Sequence, residues 1–162
     1  LRPATSADIP AVVAFQNAPG MAARFNPASA ENLQKMLDAP CDEVLIWDTG
    51  ELSGFATVKL EPYRHFYAEI RKFGVYPAGQ GIGDQFARAL LSELFVKRGF
   101  FRAEVACYGD NPAAARFYER LGFAREGLLR QAVRQRSGTR VDLILLAMTH
   151  NDWNLAETRR AS

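Results

Sequence analysis

Two short stretches hold the residues best suited to chemistry. In the first, Val75-Tyr76-Pro77-Ala78-Gly79-Gln80-Gly81-Ile82-Gly83, glycine recurs at alternate positions just ahead of a helical pattern. Closely spaced glycines let a backbone turn tightly and aim N–H groups at an anion. The N-terminus of the following helix adds about 0.3–2 kcal/mol toward negative charge. Two familiar phosphate patterns do not fit. The dinucleotide fingerprint counted from Gly79 needs a glycine where Asp84 stands, and the P-loop frame from Gly74 puts Gln80 where lysine is required. A glycine-rich strand-to-helix turn with no ligand is the plain alternative for this stretch taken alone.

The second stretch is Asn111-Pro112-Ala113-Ala114-Ala115-Arg116-Phe117-Tyr118-Glu119-Arg120-Leu121-Gly122-Phe123. Asn111, Ala114, Tyr118 and Leu121 fall at i, i+3, i+7 and i+10, which lines them along one helical face. Small alanines on that face allow a close approach, and Tyr118 sets a phenol one turn further on. The plain alternative is that Phe117, Tyr118 and Leu121 simply fill a core.

Together the two stretches resemble the GNAT superfamily of acetyl-CoA-dependent N-acetyltransferases. The glycine stretch is similar to that family's pyrophosphate-binding signature, Arg/Gln-x-x-Gly-x-Gly/Ala. The segment from Asn111 to Phe123 resembles its Asn-x-x-Ala-x-x-x-Tyr-x-x-x-Gly-Phe motif. The resemblance extends over nearly the whole chain, because the order of elements also fits. Ala78 departs from the pattern, standing where the family has arginine or glutamine; Gln80 is the polar side chain available in its place. The resemblance implies that acetyl-CoA is held by Phe73, Val75, Gln80, Gly81, Ile82, Gly83, Asp84, Asn111, Ala114 and Tyr118. Backbone N–H groups from Gln80 to Asp84 would face the pyrophosphate, and Asn111 the pantetheine arm. Arg116, on an outer face, would meet a 3′-phosphate or solvent.

It further implies transfer of acetyl from the thioester to a primary amine of a small molecule, by direct attack through a tetrahedral intermediate. An alkyl amine with a pKa near ~10.4 must lose a proton before it can attack. Glu69 is the candidate base, with a solvent-facing strand glutamate as its plain alternative. A backbone N–H near Val75 would hold the oxyanion. Tyr118, whose phenol keeps its proton at neutral pH, would protonate the departing thiolate. Cys107 ends a neighbouring strand with nothing nearby to activate it, so an acetyl-cysteine route is not expected. No metal is expected either.

The acceptor is less defined. The stretch Arg125-Glu126-Gly127-Leu128-Leu129-Arg130, followed by Arg134, Arg136, Arg140, Val141 and Asp142, resembles the branch that acetylates protein N-termini, polyamines and small amines. From Phe123 to Arg140 five arginines face one glutamate, a local +4. Such a hairpin could attract an acidic acceptor or be ordinary solvated surface. Two further functions stay open: a protein N-terminal or lysine acetyltransferase, and a non-catalytic acyl-CoA-binding sensor. His65 and His150 are isolated and expected to be structural.

The elements that position these residues follow from periodicity and turn signals. Leu1 to Thr5 predicts a short strand, with Ser6 as a helix cap and a first helix from Asp8 to Asn17. A second helix is expected from Ser29 to Asp38, ended by Pro40. Strands are expected at Glu43–Trp47, Gly54–Leu60 and Tyr67–Val75, the first two joined by a hairpin turn at Asp48 to Glu51. Apolar residues recur from Gly81 to Lys97 as in a long amphipathic helix closed by Gly99. A strand from Phe101 to Cys107, a helix from Asn111 to Leu121, and strands at Phe123–Gln131 and Arg140–Met148 complete the order. The expected fold is α/β: one domain over residues 1–156 with a mixed, mostly antiparallel sheet flanked by helices, order β-α-α-β-β-β-α-β-α-β-β. A frayed tail is expected over residues 157–162.

Composition narrows the class. The 162 residues are 48% hydrophobic and 23% charged, the profile of an ordinary globular domain. Twenty basic residues against eighteen acidic ones leave +2, well short of the excess a dedicated nucleic-acid binder carries. Cys41 and Cys107 have neither disulfide-framework nor metal-ligand spacing, which favours a reducing, cytoplasmic setting. No apolar run approaches the roughly 18 residues of a membrane helix, and no signal peptide is visible. A homodimer is expected from family habit alone.

Overall fold

The computed structural model describes residues 1–21, 26–77, 79–135 and 137–161. Ala78, Arg136 and Ser162, which figure in the expectations above, lie outside them. The elements run β1 (Arg2–Pro3), α1 (Ile9–Asn17), α2 (Ala30–Asp38), β2 (Asp42–Asp48), β3 (Leu52–Glu61), β4 (Tyr67–Val75), α3 (Ile82–Ser92), β5 (Arg102–Tyr108), α4 (Pro112–Leu121), β6 (Ala124–Arg134), β7 (Arg140–Thr149) and α5 (His150–Ala161). This is an α/β fold. The chain divides into two compact units: Leu1–Glu61 with Ile70–Leu90, and Pro62–Glu69 with Leu91 onward.

In the first unit the strands lie in the order β1-β2-β3-β4. β2 and β3 pair antiparallel, with Val44 opposite Thr57 and Ile46 opposite Phe55. Residues directly opposed in an antiparallel pair share a face. Val44, Ile46 and Phe55 therefore form one buried cluster with Val12 of α1 and Leu33 of α2. Phe15 adds an edge-to-face contact on Phe55, ring centroids 5.8 Å apart. The register puts Trp47 on the opposite face of β2, where its ring stacks on Phe86 of α3 at 5.7 Å. Phe73 of β4 stacks on the same ring at 4.7 Å. A Cβ at Gly54 would lie 2.9 Å from the Gly74 carbonyl oxygen and 3.1 Å from Phe86, so only glycine lets β3 and β4 approach this closely beneath α3.

In the second unit the order is β5-β7-β6. β5 and β7 pair antiparallel with Ala103 opposite Met148, Val105 opposite Leu146 and Cys107 opposite Ile144, all six buried. Helices α4 and α5 cover this face. Gly122 ends α4 in the left-handed region (φ +111), where a Cβ would come within 3.3 Å of both Met148 and Ala156. Trp153 of α5 packs on Phe95, centroids 6.1 Å apart.

Several boundaries differ from expectation. β1 is only Arg2–Pro3, and Thr5 rather than Ser6 caps the following turn, with Asp8 returning the bond at 2.8 Å. The helix expected to run from Gly81 to Lys97 is α-helical only to Ser92. Glu93–Lys97 then form a wider turn in which the Arg98 N–H reaches back five residues to Glu93 at 3.1 Å. The order of elements does not end on a strand: α5 follows β7, so the tail expected to fray from Glu157 is helical through Ala161.

Candidate functional site

The glycine turn belongs to the first unit. Tyr76 anchors its entry, its N–H donating to the Ser53 carbonyl at 3.0 Å. Gly79 and Gly81 have φ of +84° and +76°. A Cβ at either would meet nothing within 4 Å, so glycine is required there by backbone conformation and not by crowding. The Gln85 N–H donates to the Gly81 carbonyl at 3.1 Å, which closes the first turn of α3 on that glycine. The N–H groups of Ile82, Gly83 and Asp84 then have no acceptor one turn back along the helix. Open space above two glycines, beside such donors at the positive end of a helix dipole, is a surface a diphosphate fits.

The side chains around this turn differ in what they can offer. Asp84 lies in the first turn of α3, where its carboxylate accepts from Arg88 Nε at 3.0 Å. That pairing offsets a negative charge that would otherwise repel phosphate, and leaves the backbone N–H as what Asp84 can offer. Phe73 is half-buried in the stack on Phe86, Val75 is half-buried, and Gln80 is exposed. The Trp47–Phe86–Phe73 stack supporting the turn was not foreseen, since these residues come from three separate elements.

Glu69, Asn111, Ala114 and Tyr118 belong to the second unit. Asn111 is the N-cap of α4: its Oδ1 accepts from the Ala114 N–H at 3.2 Å, and its own N–H donates to the Tyr108 carbonyl at 2.9 Å. Capping engages the oxygen, and the amide nitrogen has no hydrogen-bond partner among the described residues. Ala114 is half-buried and Arg116 is exposed. Tyr118 is buried, its ring edge-to-face with Phe117 at 5.1 Å and with Phe123 at 5.4 Å. Burial pushes the Tyr118 phenol well above its ordinary range. Burial also raises the Cys107 thiol to about 11, far from the activated state a nucleophile needs. Glu69 is half-buried on β4, within the second unit's share of that strand. His150 stacks on Phe95 at 5.8 Å, a packing role, and His65 is exposed.

The basic stretch divides. Arg125 pairs with Glu119 at 2.5 Å, and Glu126 is held by Arg102 Nη1 at 2.9 Å. The β6–β7 hairpin is tied to the turn before α4. Gln135 Nε2 donates to Asp110 at 2.8 Å and the Gly109 N–H to the Asp142 carbonyl at 2.8 Å, while inside the hairpin the Gln131 N–H donates to Asp142 Oδ1 at 2.8 Å. These ties were not foreseen.

The model of the acetyltransferase (GNAT) family matches residues 12–123. Among solved structures, a spermidine N-acetyltransferase chimera from Vibrio cholerae and hSSAT is 17% identical, covers 94% of this chain and 96% of its own, and has a TM-score of 0.81. The ribosomal-protein-S18-alanine N-acetyltransferase from Escherichia coli is 24% identical, with 91% of each chain covered and a TM-score of 0.75. At these identities the two structures speak for the fold, while the family match takes in both motif stretches. The chain belongs to the GNAT acetyltransferase family and is an acetyl-transferring enzyme.

Proposed function

We propose that this enzyme moves acetyl from acetyl-CoA to a primary amine of a small molecule by direct attack. The carrying observation is Tyr118, a phenol in the family's motif position whose burial keeps its proton in place through the working pH range. Acetyl-CoA supplies the acetyl group as an activated thioester. The N–H groups of Gly81, Ile82, Gly83 and Asp84 would bind its diphosphate, with Gln80 beside them and the Asn111 amide on the pantetheine arm. Glu69 takes the proton from the acceptor ammonium, directly or through a water. The N–H at Val75 steadies the carbonyl oxygen as negative charge builds there. The Tyr118 O–H gives its proton to the departing sulfur as the C–S bond breaks, and the phenolate is reprotonated by the proton that the newly bonded nitrogen sheds, so amine and thioester become amide and free thiol. A buried thiol at Cys107 gives no support to an acyl-cysteine intermediate.

The free thiols of Cys41 and Cys107 accord with a cytoplasmic setting. No helix among the described residues is long and apolar enough to cross a membrane.

The test offers purified protein and acetyl-CoA to panels of small amines, amino acids, polyamines and peptides, with thiol release as readout. Release with small amines supports the reading. Release with peptides alone makes this a protein acetyltransferase, and acetyl-CoA binding without release from any acceptor on the panels removes the small-amine reading.

A further inference from the structure

The β6–β7 hairpin carries an arrangement that folding by itself disfavours. Arg134 and Arg140 stand directly opposite each other across the two strands, both exposed. Like charges directly opposed on a sheet destabilise it. Arg130, also exposed, lies four residues before Arg134 on the same strand, within the irregular stretch between Leu129 and Val133. None of the three has an acidic partner among the described residues. Arg140 Nη1 donates to the Gln131 carbonyl at 3.2 Å, a contact that leaves its charge uncompensated. Two carboxylates close to the hairpin are taken by amide donors, Asp142 by the Gln131 N–H and Asp110 by Gln135, both at 2.8 Å. By contrast, Arg102 and Arg125 of the same unit both sit in ion pairs.

The position of this cluster gives it a bearing on the reaction. Gln135, next to Arg134, bonds Asp110, and Asp110 precedes Asn111, the cap of the helix that carries Tyr118. A Cβ at Gly109 would lie 3.1 Å from the Asp142 Cβ, so the hairpin and the end of β5 are in close contact. All of these residues belong to the second unit.

We infer that Arg130, Arg134 and Arg140 receive the anionic end of the acceptor: the substrate is an amine that also bears a carboxylate, and polycationic amines are disfavoured. The inference rests on the amine-acetylating reading and narrows it. An arginine fork matches a carboxylate bidentately, and an occupant there would relieve the opposed pair. The cluster repels the ammonium tail of a polyamine for the same reason.

The experiment compares three primary amines of equal chain length, ending in methyl, carboxylate or ammonium, by kcat/KM from thiol release. The carboxylate-ended amine should exceed the ammonium-ended one by at least about tenfold at low salt, with the gap closing as salt screens the charges. A double variant, Arg130→Gln with Arg134→Gln, should bring the carboxylate-to-methyl ratio close to one, while Arg134→Lys, which keeps the charge, should retain most of the preference. A melting temperature read beside each variant separates lost recognition from lost fold. Equal use of the three amines, a preference for the ammonium end, or a preference that survives the double variant overturns the inference and leaves the amine reading standing. Thiol release from none of the three overturns both.

Discussion

The ring of Tyr118 meets the ring of Phe123 edge to face, centroids 5.4 Å apart and planes inclined at 67°, while Phe117 packs on it in the same manner. Both contacts use the ring and not the hydroxyl, so Tyr118→Phe preserves the packing and removes one oxygen. If that oxygen protonates the leaving thiolate, its contribution is made mainly in the transition state. Turnover should then fall about 10²–10⁴-fold, with little change in acetyl-CoA affinity. Measuring kcat, the dissociation constant and the melting temperature on one preparation separates this from a packing role, in which turnover stays at the parent value.

Glu69 stands half-buried on β4. As general base it should contribute about 10²–10⁴-fold, so Glu69→Gln lowers the rate by that order and displaces the acidic limb of the pH–rate profile. A profile superimposable on the parent's would make it a strand residue and move the proton to another group or to water.

At the glycine turn the test position is Gly83, in the first turn of α3. A valine there puts two methyl groups where a diphosphate must approach the backbone. Gly83→Val should weaken acetyl-CoA binding at least about tenfold, about 1.4 kcal/mol, by calorimetry. Unchanged affinity would remove the phosphate cradle.

Much of this architecture was legible because its signals are local. The strand Tyr67–Val75 coincides with its expected bounds, since a β-rich run ends on a Pro/Gly cluster. Ser29 and Asn111 cap α2 and α4, where side-chain oxygens meet the open N–H groups. What escaped depends on contacts distant in sequence. Helix α5 buries only Trp153, among Asn151, Asp152 and Asn154, all poor helix formers, so its apolar periodicity is faint. A local sign was present nonetheless: Thr149-His150-Asn151-Asp152 has capping-box spacing. The glycine turn and the tyrosine helix could be found as motifs, but neither the aromatic stack beneath the first nor the Asp110–Gln135 tie beside the second follows from any spacing rule.

Cys107 gives a chemical check on the direct-attack reading. Its thiol is buried and raised to about 11, so the reactive thiolate is scarce at neutral pH. Cys41 is partly exposed. Limited alkylation of the folded enzyme at neutral pH should therefore label Cys41 and spare Cys107, with peptide mass mapping as the readout. Cys107→Ala should still turn over, since no acyl group passes through the sulfur. Loss of turnover in a folded Cys107→Ala protein would reopen the acyl-cysteine route.

The Thr149–Asp152 box predicts how α5 responds to pH. The Asp152 carboxylate accepts from the Thr149 hydroxyl at 2.6 Å and from its N–H at 2.9 Å, and these bonds, the hydroxyl's first, hold it below the usual carboxylate range. A carboxyl whose folded pKa is depressed stabilises the fold in full above its unfolded value of about 3.9. That contribution is lost as pH falls from there through the lower folded value. Asp152→Ala should cost about 0.3–1 kcal/mol at neutral pH, the range for a carboxylate in the first turn of a helix, which in a chain of this size lowers Tm by at most about 2–4 °C. On acidification the parent loses the same bonds, so the gap between parent and variant should shrink below about pH 4. Asp8, depressed mainly by its bond to Arg2, titrates in the same acid window in both proteins and cancels from the difference. Paired melting curves from neutral pH down to about pH 3 give the result directly: a gap that stays constant across that range would mean the Asp152 charge contributes nothing to α5.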